Sequence, residues 1–157
     1  MSEVVNAFAK SGEYEFKTSG DFLNRFLRHG HLIVQDNTRT VIHDDLKLPS
    51  QALSLCVVTG IKVDQRIMLQ DGCFGIVDLS CIHAQRIELQ GASIGTLVLN
   101  NLQVVADGGI GRVLTEGAHI GKIYCRDTAL AQALARAHPH TPIFSELFWM
   151  DYRDYVR

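Results

Sequence analysis

The sequence predicts a mainly β protein, a parallel β-solenoid of about three to four coils of roughly 20 residues with short capping helices at both ends. Three observations carry this. RIMLQ begins at Arg66 and RIELQ at Arg86, 20 positions apart, so a supersecondary unit of that length repeats. Within each unit, apolar residues recur every fifth position: Leu69, Phe74, Leu79, Ala84, Leu89, Ile94, Leu99 and Val104. A second series runs two residues ahead of the first, through Ile67, Gly72, Val77, Ile82, Ile87, Ala92, Leu97 and Leu102, and only Gly72 in it lacks an apolar side chain. A helix wants apolar spacings of three and four, and an ordinary hairpin sheet alternates over longer runs.

A chain that turns every five residues satisfies both series. Each side is a short strand with two inward residues and one outward residue between them. Four sides close a coil, and coils stack at strand spacing, roughly 4.8 Å. Leu69 then lies under Leu89, and Ile67 under Ile87. Gly75 and Gly95 fall at equivalent positions, read as corners where positive φ favours glycine. Upstream, LSLCVVTGIKV supplies Leu53, Cys56, Val58, Ile61 and Val63 as inward residues, with a register slip of one. Downstream, Ile120–Gly121 fits the face of Gly75 and Gly95 only if ADGG belongs to a longer loop; Ile110–Gly111 fits after a one-residue insertion.

This pattern resembles the pentapeptide-repeat proteins over roughly Leu53 to Cys125. The resemblance implies a right-handed quadrilateral β-helix. It is one of period and inward pattern: Ile67, Ile87, Leu97 and Leu102 are larger than that family prefers, and its Asp or Asn between inward residues appears only at Asp78. A leucine-rich repeat is the competing reading of LVLNNL (Leu97 to Leu102), but the asparagine signature is absent from the other units.

The chain reads as a single domain, 1–157. Residues 1–50 form an N-terminal helix and strand cap, 51–126 the solenoid, and 127–157 a helical cap. Open solenoid ends invite aggregation, so caps are expected. SGDFLNRFLRHG reads as a helix capped by Ser19 or Asp21, with Phe22, Leu23, Phe26 and Leu27 inward and Gly30 as its stop. RDTALAQALARAHP reads as a helix capped by Asp127 or Thr128. TPIFSELFWMDYRDYVR reads as a further helix, with Thr141 as cap and Pro142 in its first turn. Phe144, Leu147, Phe148, Tyr152 and Tyr155 would share one face of it.

Composition narrows function mainly by exclusion. Apolar residues make up 46% of the chain and charged residues 20%, ordinary for a folded domain. A net charge of −2 gives no electrostatic case for nucleic acid or an anionic membrane. The start lacks an apolar signal core, and no apolar run is long enough to span a bilayer. Cys56, Cys73, Cys81 and Cys125 are irregularly spaced, which suits free thiols in the cytoplasm.

Seven histidines call for a metal check. HGH (His29, His31), HPH (His138, His140) and His43–Asp44–Asp45 lack the spacing of a zinc site. ADGGIG lacks the lysine of a phosphate loop. No cofactor and no metal are expected. The leading function is a non-enzymatic protein-interaction module that presents the outer face of the solenoid to a protein partner. One alternative is a self-assembling structural protein similar to bactofilins, which capped ends oppose. A second is an enzyme with an outer-face site built from His83, His119, Asp78 and Glu88, with Cys81 as a conceivable nucleophile. The aromatic C-terminal segment predicts a homodimer contact through Phe144, Leu147, Phe148, Trp149 and Tyr152; the alternative is that Ile143 to Tyr155 wraps back along its own solenoid and covers outward apolar residues such as Val98.

Overall fold

A computed structural model describes residues 15–35, 40–48, 52–104, 113–150 and 152. All of ADGGIG, with its Ile110–Gly111 pair, and Pro49 and Tyr155 lie outside the described residues.

The chain opens with β1 (Glu15–Phe16), α1 (Ser19–Phe26), β2 (Leu27–Arg28) and β3 (His31–Val34). It continues through β4 (Val41–Ile42), β5 (Leu46–Lys47), β6 (Ala52–Val58), β7 (Lys62–Val63), β8 (Arg66–Met68) and β9 (Cys73–Asp78). Next come β10 (His83–Ala84), β11 (Arg86–Glu88), β12 (Ser93–Val98), β13 (Gln103–Val104), β14 (Val113–Leu114) and β15 (His119–Tyr124). It closes with α2 (Thr128–Ala137) and β16 (Ile143–Phe144).

These strands stack into three sheets: β1-β4-β7-β10-β13, β5-β8-β11-β14 and β2-β3-β6-β9-β12-β15-β16. Every pairing is parallel except the β2–β3 hairpin. The result is a parallel β-solenoid consistent with a pentapeptide-repeat-like β-helix, with about five turns where three to four were expected. The extra turns come from upstream: β4 and β5 already pair with β7 and β8, so this stretch coils into the stack.

The repeat lands where the five-residue period puts it. Arg66, Ile67 and Met68 pair with Arg86, Ile87 and Glu88 in the adjacent coil. Ile67, Leu69, Val77, Leu79, Ile82, Ile87, Leu89, Leu97 and Leu99 are all at most 1% exposed, which makes the inward series the core. The exception also has a cause. A Cβ on Gly72 would sit 2.5 Å from the Phe74 ring, so glycine makes room for the aromatic that Ile94 replaces one coil later above Ala92.

The corner reading of Gly75 and Gly95 is corrected. Both lie inside the six-residue strands β9 and β12, which run unbroken through two of the expected four sides. Glycine is required there by close approach. A Cβ on Gly75 would meet the Ser54 carbonyl oxygen at 2.5 Å, one on Gly95 the Gly75 oxygen at 2.6 Å, and one on Gly121 the Gly95 oxygen at 2.5 Å. Left-handed backbone occurs instead in two other columns: Asp71, Gly91 and Gly117, and Gly60, Cys81 and Asn101. Gly121 aligns on Gly95, as its fit to that face required, and the ADGG reading lies outside the described residues.

Both ends carry helices. Thr18, rather than Ser19 or Asp21, caps α1 by accepting from the Asp21 N–H at 3.1 Å. Phe22 of α1 packs edge-on to Phe16, with ring centroids 5.5 Å apart. Asp127 caps α2 by accepting from Leu130 N–H at 2.9 Å, and Leu130 and Leu134 join the core. Among the described residues, no helix is long and apolar enough to cross a membrane.

Candidate functional site

The C-terminal segment after α2 is a strap, and the helix expected there is corrected. Thr141 Oγ1 donates to the Ile120 carbonyl at 3.0 Å rather than capping a helix. Ile143 and Phe144 pair in parallel with Ile123 and Tyr124, extending the long sheet. The chain then crosses the outer face of that sheet. Phe144 and Phe148 pack on Tyr124, with ring centroids 5.1 and 4.8 Å apart. Tyr152, Phe148 and Met150 form a second small core with Leu55, Val57, Ile33 and Ile76.

The physical reason lies in the sheet. Its outward positions carry apolar residues that a bare solenoid would leave wet, and the open edge of β15 offers unpaired backbone groups. A strap covers the first and pairs with the second; a detached helix does neither. The aromatic spacing at i, i+4 and i+8 suits a helical face, so the sequence alone favoured the wrong local structure. The available signal was outward Val98, which is fully buried.

One buried polar contact pins the strap. Tyr152 Oη donates to Asp78 Oδ2 at 2.7 Å, and both residues are buried. Asp78 Oδ1 also accepts from Ser80 N–H at 3.0 Å and Ser80 Oγ at 2.6 Å. Burial first, then the Asp78 carboxylate, pushes the Tyr152 phenol well above its ordinary value, so it remains a donor. The same two causes push the Cys56 thiol beneath the sheet up to about 12. On the strap's other margin, Gln35 Nε2 donates to the Met150 carbonyl at 2.8 Å.

The five residues expected at an interface therefore divide. Tyr152 is 0% exposed and occupied by its own chain. Phe144 and Phe148 are half-buried. Leu147 and Trp149 remain open at 61% and 65% exposure.

Beside these two open residues lies a cleft of about 200 Å³ between the strap and the Gly60, Cys81, Asn101 corner column. Asn100 lines it. That side chain is 2% exposed, and neither its Oδ1 nor its Nδ2 has a hydrogen-bond partner among the described residues. Gln35 Oε1, on the same lining, is also without one. Sequence reading missed this cleft because Asn100 came to notice only as part of LVLNNL.

The residues of the enzyme alternative do not converge. His83 lies on the β10 sheet, Glu88 on the β11 sheet, and Asp78 and His119 at opposite ends of their strands in the long sheet. Glu88 is buried beside two arginines, with Oε2 3.5 Å from Arg66 Nη1 and 3.0 Å from Arg86 Nε. The latter is an ion pair lying off the N–H direction, since Arg86 Nε makes no hydrogen bond. Arg66 also forks onto Asp45, donating from Nε at 3.1 Å and Nη2 at 3.0 Å, which holds the Asp45 carboxyl below its ordinary range. The repeated arginines thus ladder along one face between acidic residues. The repeated glutamines do likewise, Gln70 Nε2 donating to Gln90 Oε1 at 3.2 Å.

The histidines disperse too. His138 pairs with Thr115 Oγ1 at 2.8 Å, and burial lowers its pKa. His43 bridges Asp64 at 2.7 Å and Glu15 at 2.8 Å. Among the described residues, no group of three or more His, Cys, Asp or Glu side chains could hold a metal ion. Compared with protein families, with curated proteins and with solved structures, the chain gives no match.

Proposed function

We propose that this protein is a non-enzymatic interaction module whose recognition surface is the strap-bearing outer face of the solenoid. The observation that carries this is the exposure of Leu147 and Trp149 on a segment otherwise tied down by pairing, ring stacking and a buried hydrogen bond. Large apolar side chains held open on a rigid scaffold are typical of contact sites. A cytoplasmic location fits four unpaired cysteines. The helices over both ends of the stack speak against end-to-end filaments as in bactofilins. The test compares the full chain with a Leu147→Ser/Trp149→Ser variant as baits in native lysate. The module reading expects a protein partner retained by the parent and lost by the variant, both baits being equally folded. Equal retention by both baits overturns this surface as the contact.

A homodimer through the same segment is the second reading, favoured by the adjacency of the two exposed residues. With Tyr152 occupied, the contact would centre on Leu147 and Trp149, rimmed by Phe144 and Phe148. Light scattering on the same pair of proteins tests it.

A further inference from the structure

The cleft under Trp149 has the composition of a small-ligand site. Its floor holds Asn100, an amide that is 2% exposed and has neither its donor nor its acceptor in use among the described residues. A buried amide left unpaired costs free energy comparable to lost hydrogen bonds, so such a group is ordinarily matched by a ligand or ordered water. Gln35 supplies a second acceptor, Oε1, that is unused among the described residues, while its Nε2 is held by the Met150 carbonyl. The wall is the Trp149 side chain, 65% exposed, with Leu147 beside it.

These groups select a chemistry. The donor and acceptor of one amide match two adjacent hydroxyls, each of which can both give and accept a hydrogen bond. An open indole is a platform for a flat, weakly polar ring face. Among the described residues the lining carries the Asp78 carboxylate and no lysine or arginine, which disfavours phosphate and carboxylate ligands. A space of about 200 Å³ falls below the roughly 300–1,000 Å³ of drug-sized pockets and suits a single six-membered ring. We infer that the cleft binds one ring of an uncharged sugar, its hydroxyls on Asn100 and Gln35 and its C–H face on Trp149. This rests on the strap side being a recognition surface and names the chemistry that surface recognises.

Trp149 is the only tryptophan, so its fluorescence reports on the cleft directly. The experiment titrates the full chain with the methyl glycosides of glucose, galactose, mannose and N-acetylglucosamine, and with 9-methyladenine as the flat probe that carries no sugar. At least one glycoside should shift the Trp149 emission saturably. Saturation-transfer NMR should place its ring protons against the protein, and that transfer should vanish in Trp149→Ala. Asn100→Leu should weaken binding by about tenfold or more, the loss expected for a buried polar contact. Circular dichroism checks that each variant is folded; should Asn100→Leu not fold, Gln35→Leu takes its place with the same expectation. Saturable binding of 9-methyladenine with none of the glycosides, no saturable binding of any probe, or glycoside binding indifferent to both Trp149→Ala and the floor variant overturns the proposal. If the glycosides fail while protein capture still depends on Leu147 and Trp149, the sugar assignment falls and the module reading stands.

Discussion

Leu89 and Glu88 are neighbours with opposite directions and, unexpectedly, similar burial. Leu89 is 0% exposed in the core, so Leu89→Ala should cost about 2–5 kcal/mol in urea unfolding. Read as an outward position, Glu88 is a surface site whose replacement should cost about 0.5 kcal/mol or less. Its burial beside Arg66 and Arg86 changes that expectation to about 1–3 kcal/mol, the range for removing one partner of a buried polar contact and leaving the other unmatched. A near-neutral Glu88→Ala would show that the arginines do not depend on it. The glycines separate in the same way. Gly95→Ala should destabilise by about 1–3 kcal/mol, because its methyl meets the Gly75 carbonyl oxygen in the next coil. Gly91 has φ +73°, and the opposing atoms there are the movable Asp71 carboxylate. Asparagine tolerates that backbone, so Gly91→Asn should be milder than Gly95→Asn by thermal unfolding. Equal losses would refute the distinction between close approach and left-handed conformation.

Two elements hang on polar contacts that no periodicity announces. The strap depends on Tyr152 and Asp78, so Tyr152→Phe, which keeps the ring and removes the donor, should cost about 1–3 kcal/mol. A shift within error would mean that ring packing alone holds the strap. At the other end, His43 ties β1 to the coil that carries Asp64, with Lys62 Nζ a further 3.9 Å from Asp64. Hydrogen bonds to Glu15 and then Asp64 raise the His43 pKa above its ordinary value. A raised histidine contributes stability that is fully present below the ordinary value and disappears as pH rises through the raised one. As pH rises above the ordinary histidine value of about 6.5, the parent should therefore lose stability relative to His43→Gln. A constant difference across that rise would exclude the staple. The period of five located strands well, because inward residues repeat with the geometry. It was silent on these anchors, whose partners lie 28 and 74 residues apart in sequence.

At the scale of the whole molecule, the strap changes how oligomerisation should be tested. Removing everything after Pro139 would strip β16 and Tyr152 from the long sheet and expose Leu55, Val57 and Tyr124, so a soluble monomer is not the expected product. The informative comparison is the full chain against Leu147→Ser/Trp149→Ser in light scattering at high micromolar concentration. The dimer reading expects a two-chain mass for the parent and a one-chain mass for the variant. A monomeric parent ends it.

By itself, the sequence determined the parallel stacking of coils, the identity of the inward residues and the presence of a helix near each end. Those features follow from short-range spacing, because an inward series repeated every five residues can be buried only one way. It left open, or misread, whatever depends on which surface meets which. Aromatics at helical spacing became a strap because an apolar outer face and an open strand edge were waiting for them. Glu88 became buried because Arg66, one coil away, stacks on Arg86 and both guanidinium groups reach its carboxylate. Asn100 became an unpaired amide in a cleft because the strap passes beside its corner. Each of these is a contact between segments far apart in the chain, and local pattern carries no record of such contacts until the backbone has brought the segments together.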